Sequence, residues 1–186
     1  ADIAVTQAMT WAGGTIGSVP EDSIAPPGLF KVDVNATLLM TATHGAKTLR
    51  GRIFNQSGAA TWAYDIDSWS DTLSFEENAQ LDNNGTLLLV GNTVIYGSGD
   101  NSVLNNNGVI TKTNGASSIS AFVNNASDLV LDSGDLDINA LFTQTDGSTK
   151  LAGGSFDATT ANFDGGVVQG NGSLGGDIHN NGAVFM

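Results

Sequence analysis

The sequence has no cysteine and few basic residues: 6 Lys and Arg stand against 19 Asp and Glu, a formal net charge of −13 over 186 residues. Without cysteine, neither a disulfide framework nor a thiolate metal site can form. A surface this negative repels phosphate groups, so we expect no nucleic-acid partner. No apolar run approaches the length of a membrane span, so we also expect no membrane insertion.

Proline is scarce as well, and its placement divides the chain. Pro20, Pro26 and Pro27 all lie in the phrase PEDSIAPPG. Because proline fixes its backbone angle and donates no hydrogen bond, we expect an irregular loop there. Residues 1–28 are therefore expected to form an N-terminal segment, a candidate cap that ends in this loop. Residues 29–186 are expected to form the main body, as a fragment of a longer protein.

Glycine is abundant, with 24 residues, and it belongs to a repeat. An apolar residue is followed by amide or other polar residues and then usually by glycine, as in VLNNNGVITKT (103–113). The aligned apolar positions are Phe54, Leu81, Leu104, Val123, Phe142, Phe163 and Ile178. The aligned positions after them are Asn55, Asp82, Asn105, Asn124, Thr143, Asp164 and His179. The spacings between these apolar positions average about 21 residues.

A repeat of this length, with short alternating segments such as TLLLV (86–90), predicts an all-β right-handed parallel β-helix (β-solenoid) of about 20 residues per rung. Equivalent residues of successive rungs lie above one another in this fold. The apolar column is then expected to be buried, and the amides are expected to lie at a corner, bonded from rung to rung. Glycine is expected to supply a positive φ there.

Several phrases carry a resemblance to a known group of proteins. These are TWAGGTIG, KTLRGRIFNQSGAATWAY, LDNNGTLLLVG, FVNNASDLVLDSGDLDI and VVQGNGSLGGDIHNNGAV. They resemble the repeats of large bacterial cell-surface β-solenoid proteins of the autotransporter-passenger and filamentous-haemagglutinin-like kind. The resemblance implies a structural or adhesive segment, extracellular or on the cell surface, with no catalytic residues to carry over. It therefore predicts that the chain is not an enzyme.

An aromatic cluster in TWAYDIDSWSD (61–71) is the main candidate for ligand binding. Trp62, Tyr64 and Trp69 are accompanied by Asp65 and Asp67. Tryptophan and tyrosine rings stack on sugar rings, and the long interval from Phe54 to Leu81 leaves room for an exposed loop. The alternative function is thus a carbohydrate-binding module whose partners are surface glycans. The competing interpretation is that these rings fill a wide coil.

A second acidic cluster, in LDSGDLDI (131–138), offers Asp132, Asp135 and Asp137. Paired carboxylates could serve a carbohydrate-active β-helix enzyme, which is the third function considered. They are also the weak candidates for calcium, the only cofactor that the sequence suggests, although no EF-hand spacing is present. Solvated strand faces and turns are the simpler explanation of both acidic clusters.

Two further expectations concern surfaces and ends. The threonines fall at irregular places along the repeat, so we expect no regular Thr-x-Thr face of the kind that ice-binding solenoids use. Each rung needs neighbouring rungs of the same protein as partners, and the two open ends present unpaired strands. Self-association through the open ends is therefore expected.

Overall fold

A computed structural model describes residues 2–17, 28–41, 45–63, 72–98 and 101–186. It confirms the all-β prediction: parallel strands stack into a β-solenoid whose coils are about 22 residues apart, and these residues include no helix. No helix in the described ranges could therefore cross a membrane. Every strand pairing is parallel, so each strand lies on the equivalent strand of the coil before it.

Each coil contributes one strand to each of three faces, which we number in chain order. Face 1 contains β1 (Ile3–Val5), β4 (Gly28–Val32), β7 (Arg52–Gln56), β10 (Gln80–Asn83), β13 (Val103–Asn106) and β16 (Phe122–Asn125). Face 2 contains β2 (Ala8–Trp11), β5 (Thr37–Thr41), β8 (Ala59–Ala63), β11 (Thr86–Val90), β14 (Val109–Thr113), β17 (Asp128–Leu131), β19 (Ser148–Leu151), β21 (Val167–Gly170) and β23 (Val184–Phe185). Face 3 contains β3 (Gly14–Ile16), β6 (Lys47–Arg50), β9 (Thr72–Glu76), β12 (Val94–Ser98) and β15 (Ala116–Ile119).

Three longer strands join face 3 to face 1. They are β18 (Asp135–Gln144), β20 (Ser155–Phe163) and β22 (Ser173–Asn180). The first half of β18 pairs with β15 on face 3, and its second half pairs with β16 on face 1. Faces 1 and 3 therefore form one 14-stranded sheet, and face 2 is a separate 9-stranded sheet.

The core is a set of stacked side-chain columns, because alternate residues of each strand point inward. On face 1, Phe54, Leu81, Leu104, Val123 and Phe142 lie directly above one another and are fully or almost fully buried. Each such side chain contributes roughly 1.5–3 kcal/mol of burial free energy. The column predicted from the repeat is confirmed over these coils.

The next member of that column differs from the prediction. Ala161, not Phe163, pairs with Phe142, and Asn162, not Asp164, pairs with Thr143. The cause is a register shift at the bend of β18, where two residues separate Ile138 from Leu141 while one residue performs the same turn in β20. The corner between faces 3 and 1 is thus one residue shorter in β20 than in β18. Aligning similar sequence phrases does not detect this deletion.

Glycine at the corner between faces 1 and 2 also has a different role from the one predicted. Gly58, Gly85 and Gly108 do not adopt a positive φ, although Gly147 and Gly166 do. A Cβ at Gly108 would lie 2.1 Å from the carbonyl oxygen of Gly85, and a Cβ at Gly85 would lie 2.1 Å from that of Gly58. These glycines are needed because the stacked backbones approach too closely for a side chain.

Candidate functional surfaces

The structure does not support Trp62 as a sugar-stacking residue. Its side chain is 0% exposed and lies in an inward column of face 2, between Met40 and Leu89. A buried indole offers no ring face to a ligand, so Trp62 fills the coil, as the competing interpretation proposed. Tyr64, Asp65, Asp67 and Trp69 lie outside the described residues.

A second inward column of face 1 is made of buried amides rather than apolar groups. We call Asn83, Asn106, Asn125 and Gln144 the inner amide stack. Asn83 Nδ2 donates to Asn106 Oδ1 at 2.7 Å, and Asn106 Nδ2 donates to Asn125 Oδ1 at 2.7 Å. Asn125 Nδ2 donates to Gln144 Oε1 at 3.3 Å. A buried amide is tolerated only when it is hydrogen-bonded, so this stack fixes the register of four successive coils.

The phrase Asn105-Asn106-Asn107 contributes one residue to each of three stacks. Asn106 points inward, whereas Asn105 points outward and donates from Nδ2 to Asp82 Oδ1 at 2.8 Å. Asn107 lies in the turn, where its Nδ2 donates to Asn84 Oδ1 at 3.2 Å. The rung-to-rung amide bonding that the repeat predicts is therefore present. The buried amide is Asn106, one residue after the aligned position Asn105.

Lys112 is a buried cation in the core of face 2. Its side chain is 0% exposed and occupies the same inward column as Leu89 and Leu131. The ammonium donates to the carbonyl oxygen of Gly91 at 2.7 Å, to that of Thr113 at 3.2 Å and to that of Asn114. It thereby binds backbone carbonyls at the corner between faces 2 and 3.

Burial lowers the pKa of Lys112 from 10.5 to about 8, and the carboxylate of Asp135 offsets part of this effect. Between about pH 8 and pH 10.5 the unfolded chain then holds a proton that the folded chain has lost. Stability is therefore expected to rise with pH across this window, because the cost of burying the charge disappears.

Lys112→Met is expected to remove this pH dependence and to be neutral or stabilising at pH 7, by at most a few kcal/mol. Thr113 O still accepts from Gly91 N at 3.2 Å, and Gly91 O still accepts from Ser117 Oγ at 3.3 Å. Urea denaturation of both proteins at pH 7, 8, 9 and 10 measures the effect. Lys150→Met, at an exposed position of the same face, is the control and should keep the wild-type pH profile. A large loss of stability in Lys112→Met at pH 7 would contradict this account.

Acidic side chains meet on the outside of face 3. Asp135 and Asp137 are on β18, and Asp157 of β20 pairs with Asp137 on the next coil. Asp132 follows β17 on face 2 and is separated from Asp135 by the turn at Ser133 and Gly134. No group of three or more metal-ligating side chains is found among the described residues. Calcium binding by Asp132, Asp135 and Asp137 stays a prediction.

Desolvation by burial raises the pKa of Asp137, and the charges of Asp157 and Asp135 raise it further. A carboxyl whose pKa is higher in the folded state than in the unfolded state weakens the fold above that pKa. The repulsion between Asp137 and the carboxylates of Asp135 and Asp157 is relieved as the pH falls through the pKa of Asp137.

Asp137→Ser is expected to raise the melting temperature at pH 7. It should also reduce the increase in melting temperature that we expect for the wild type on mild acidification. Thermal melts from pH 7 to pH 4 give both quantities, and Asp132→Ser is a control that removes a charge outside this group. Repeating the melts with calcium and with chelator tests the calcium prediction. The calcium prediction for Asp132, Asp135 and Asp137 requires that calcium raises the wild-type melting temperature and that Asp137→Ser abolishes the rise.

The outside of face 2 carries an uncharged array over five coils, which we call the threonine face. Its members are Ala8, Thr10, Thr37, Leu39, Thr41, Ala59, Thr61, Ala63, Thr86, Leu88, Val90, Val109, Thr111 and Thr113. All are exposed or half-buried, and half of them are threonine. In the central column the register is Thr10, Leu39, Thr61, Leu88 and Thr111, so threonine and leucine alternate along the solenoid. Only Thr111 and Thr113 form a Thr-x-Thr pair on this face, and no column places threonines on two neighbouring coils, so the described residues form no regular Thr-x-Thr face, as expected.

The outside of face 1 has a different character. Phe122 and Leu141 are 42% and 37% exposed and directly precede the paired residues Val123 and Phe142 on neighbouring strands, and Val103 pairs with Phe122. The adjacent outward column holds the amides of Asn105 and Asn124, which bond to each other at 2.9 Å. Aliphatic, aromatic and amide groups are therefore displayed together on this face.

Comparisons with known proteins found no matching family model, no matching curated protein and no matching solved structure.

Proposed function

We propose that this chain is a structural and adhesive segment of a bacterial surface or secreted β-solenoid protein, located outside the cell or on its surface. The observation that supports the proposal best is the inner amide stack together with the apolar columns. The amide stack joins four successive coils by hydrogen bonds, and the apolar side chains pack each of these coils against the next, as a rod-like scaffold requires. The resemblance of the repeat phrases to such surface proteins favours the same function.

The exposed surfaces, rather than the interior, are then available for adhesion. Phe122 and Leu141 with the amides of Asn105 and Asn124 form a mixed apolar and hydrogen-bonding surface on face 1. Surface glycans are the proposed partner, because a sugar presents an apolar face and a rim of hydroxyls. No catalytic activity is proposed.

One observation favours a carbohydrate-active enzyme as a second candidate. Asp137 and Asp157 are adjacent across two coils, and the pKa of Asp137 is raised, as a general acid requires. Both carboxylates, however, are exposed on an open strand face. Such a surface does not exclude water from a reacting bond, so the scaffold is the better supported function.

A glycan array followed by mass spectrometry of the retained sugars tests the two functions together. The proposed function predicts retention of a sugar class without cleavage, and the array is run with and without calcium; no retention in either condition would contradict the adhesive part of the proposal and leave a scaffold. Loss of retention in Phe122→Ala, but not in Leu39→Ala on face 2, would place adhesion on face 1. Release of shortened sugars that is abolished in Asp137→Asn would instead establish an enzyme.

We also propose self-association through the coil ends. Val184, Phe185 and Met186 of the last described coil are 56%, 44% and 71% exposed, and β23 pairs with β21 alone. An apolar strand edge of this kind can add a further strand. Light scattering over a range of concentrations should show an increase in mass, and Val184→Lys should suppress it; a concentration-independent monomer would contradict the proposal.

A further inference from the structure

Five asparagines are followed directly by glycine: Asn84, Asn107, Asn114, Asn171 and Asn181. We infer that Asn171 is a self-modification site, which converts to aspartate and isoaspartate, and that the fold protects the other four. Asparagine followed by glycine is the dipeptide most prone to this reaction, because glycine has no side chain to hinder closure of the ring that forms.

The reaction needs only the two residues and water. The backbone nitrogen of Gly172 attacks Cγ of Asn171 and loses its proton. The bond between Cγ and Nδ2 breaks, ammonia leaves, and a five-membered succinimide ring is formed. Water then opens the ring at either of its two carbonyls. One opening gives aspartate, and the other gives isoaspartate, in which the main chain runs through the side-chain carbonyl.

Both reacting groups of this pair are accessible. The side chain of Asn171 is exposed and makes no hydrogen bond to any described residue. Ala152 occupies the same position in the preceding coil, because both residues directly follow paired residues of β19 and β21, and alanine offers no amide. The N–H groups of Asn171 and Ser173 donate to the preceding coil, whereas that of Gly172 donates to no group in the described ranges.

Asn84 and Asn107 belong to a stack of turn amides that holds both side chains. Asn107 Nδ2 donates to Asn84 Oδ1 at 3.2 Å, and Asn84 Nδ2 donates to Asn55 Oδ1 at 3.3 Å. Ring closure requires that the side chain turn its Cγ onto the next backbone nitrogen. These hydrogen bonds must break first, which slows the reaction at both positions.

Asn114 and Asn181 are held in other ways. Asn114 Oδ1 accepts from Gly91 N at 2.7 Å, and Asn181 Nδ2 donates to Asp164 Oδ1 at 2.8 Å. The nitrogen that would attack Asn181 is also engaged, because Gly182 N donates to the preceding coil at 3.1 Å. Asn171 therefore differs from all four in having a side chain that no hydrogen bond holds.

The corner that contains Asn171 can accept the product. Residues 152–154 turn the corner between faces 2 and 3 in one coil, and Asn171 and Gly172 alone turn it in the next. Isoaspartate adds one atom to the main chain. The same scaffold already holds a longer corner, so we expect β21 and β22 to keep their pairings. The product carries one additional negative charge and marks the age of the molecule without unfolding it.

The experiment follows the five sites over time in the folded 186-residue protein, in warm and mildly alkaline buffer. Mass spectrometry of the digested samples, with electron-transfer fragmentation, separates isoaspartate from aspartate. Asn171 is expected to convert faster than each other site by roughly three- to tenfold, the factor that one net hydrogen bond provides. In urea all five should convert at similar rates. The proposal is overturned if Asn171 stays unchanged in the folded protein, or if another site converts as fast.

Three variants test the role of the amide partner. Ala152→Asn gives Asn171 a partner in the preceding coil and should slow its conversion to the rate of the protected sites. Ala126→Asn makes the same change at a different corner and should leave the rate at Asn171 unchanged. Asn84→Ala removes the partner of Asn107 and should raise the rate there toward that of Asn171. Circular dichroism establishes that each variant is folded. An unchanged rate in Ala152→Asn at Asn171, or in Asn84→Ala at Asn107, overturns the proposal.

Discussion

Asn106→Leu is expected to cost the protein about 2–4 kcal/mol of unfolding free energy, although the leucine side chain has the same number and branching of heavy atoms as asparagine. Asn106 accepts from Asn83 Nδ2 at 2.7 Å and donates to Asn125 Oδ1 at 2.7 Å and to the carbonyl oxygen of Asp128 at 3.0 Å. The leucine side chain would leave two acceptors of the next coil, Asn125 Oδ1 and Asp128 O, without this donor, and Asn83 Nδ2 of the preceding coil without this acceptor. A buried polar atom without a partner costs more than the lost bond itself contributed.

The outer stack supplies a matched control. Asn124 makes the same kind of amide bond, from Nδ2 to Asn105 Oδ1 at 2.9 Å, but its side chain is exposed and water can replace the bond. Asn124→Leu is therefore expected to change stability by no more than about 0.5 kcal/mol. Urea denaturation of both variants measures the contrast. Equal losses at the two positions would mean that burial of the stack is not what stabilises the coils.

Gly108→Ala is expected to destabilise the fold by about 3 kcal/mol or more, for a reason unrelated to backbone torsion. The new Cβ would lie 2.1 Å from Gly85 O, 2.8 Å from Gly85 N and 2.9 Å from the carbonyl carbon of Asn84. All three atoms belong to the backbone, so no side chain can rotate away. The two coils would have to separate where Val109 N donates to Gly85 O at 2.8 Å.

A glycine with the opposite combination of features serves as the control. Gly14 has a φ of 90° but no atom within 4 Å of a Cβ, so Gly14→Ala should cost only the left-handed strain of about 1–2 kcal/mol. Thermal melts of the two variants separate close approach from backbone conformation. If Gly14→Ala is the more destabilising of the two, the role given to the corner glycines is wrong.

The sequence predicts most of the fold because a solenoid repeats its interactions. Alternation in TLLLV placed Leu87 and Leu89 on one side of a strand, and both are buried. The direction of the amides could not be obtained in the same way. Asn105, Asn106 and Asn107 are identical residues, and only the pairing of the strands decides which one points inward.

Trp62 and Lys112 show where residue type misleads. Each lies two residues after a buried apolar residue of its strand, Ala60 for Trp62 and Ile110 for Lys112, and side chains two residues apart on a strand point to the same side. That alternation is the signal that places them inside. For Trp62, sequence reasoning gave more weight to an aromatic ring near acidic residues than to its position along the strand, and for Lys112 it made no prediction. The uncharged character of the threonine face was missed because its members come from five coils of unequal length.

The register between β18 and β20 tests the account most directly, because sequence repeat and structure disagree there. The chain has no cysteine, so a pair of cysteines can be introduced without interference. Thr143 and Asn162 are paired residues on neighbouring strands, which places their Cα atoms about 4.8 Å apart, within reach of a disulfide. Thr143 and Asp164 are the pair that the sequence repeat predicts, and in this structure they are too far apart along the strand. Under mild oxidation, the Thr143→Cys/Asn162→Cys protein should form an intramolecular disulfide almost completely and the Thr143→Cys/Asp164→Cys protein should not. The reverse result would contradict the stacking described for these coils.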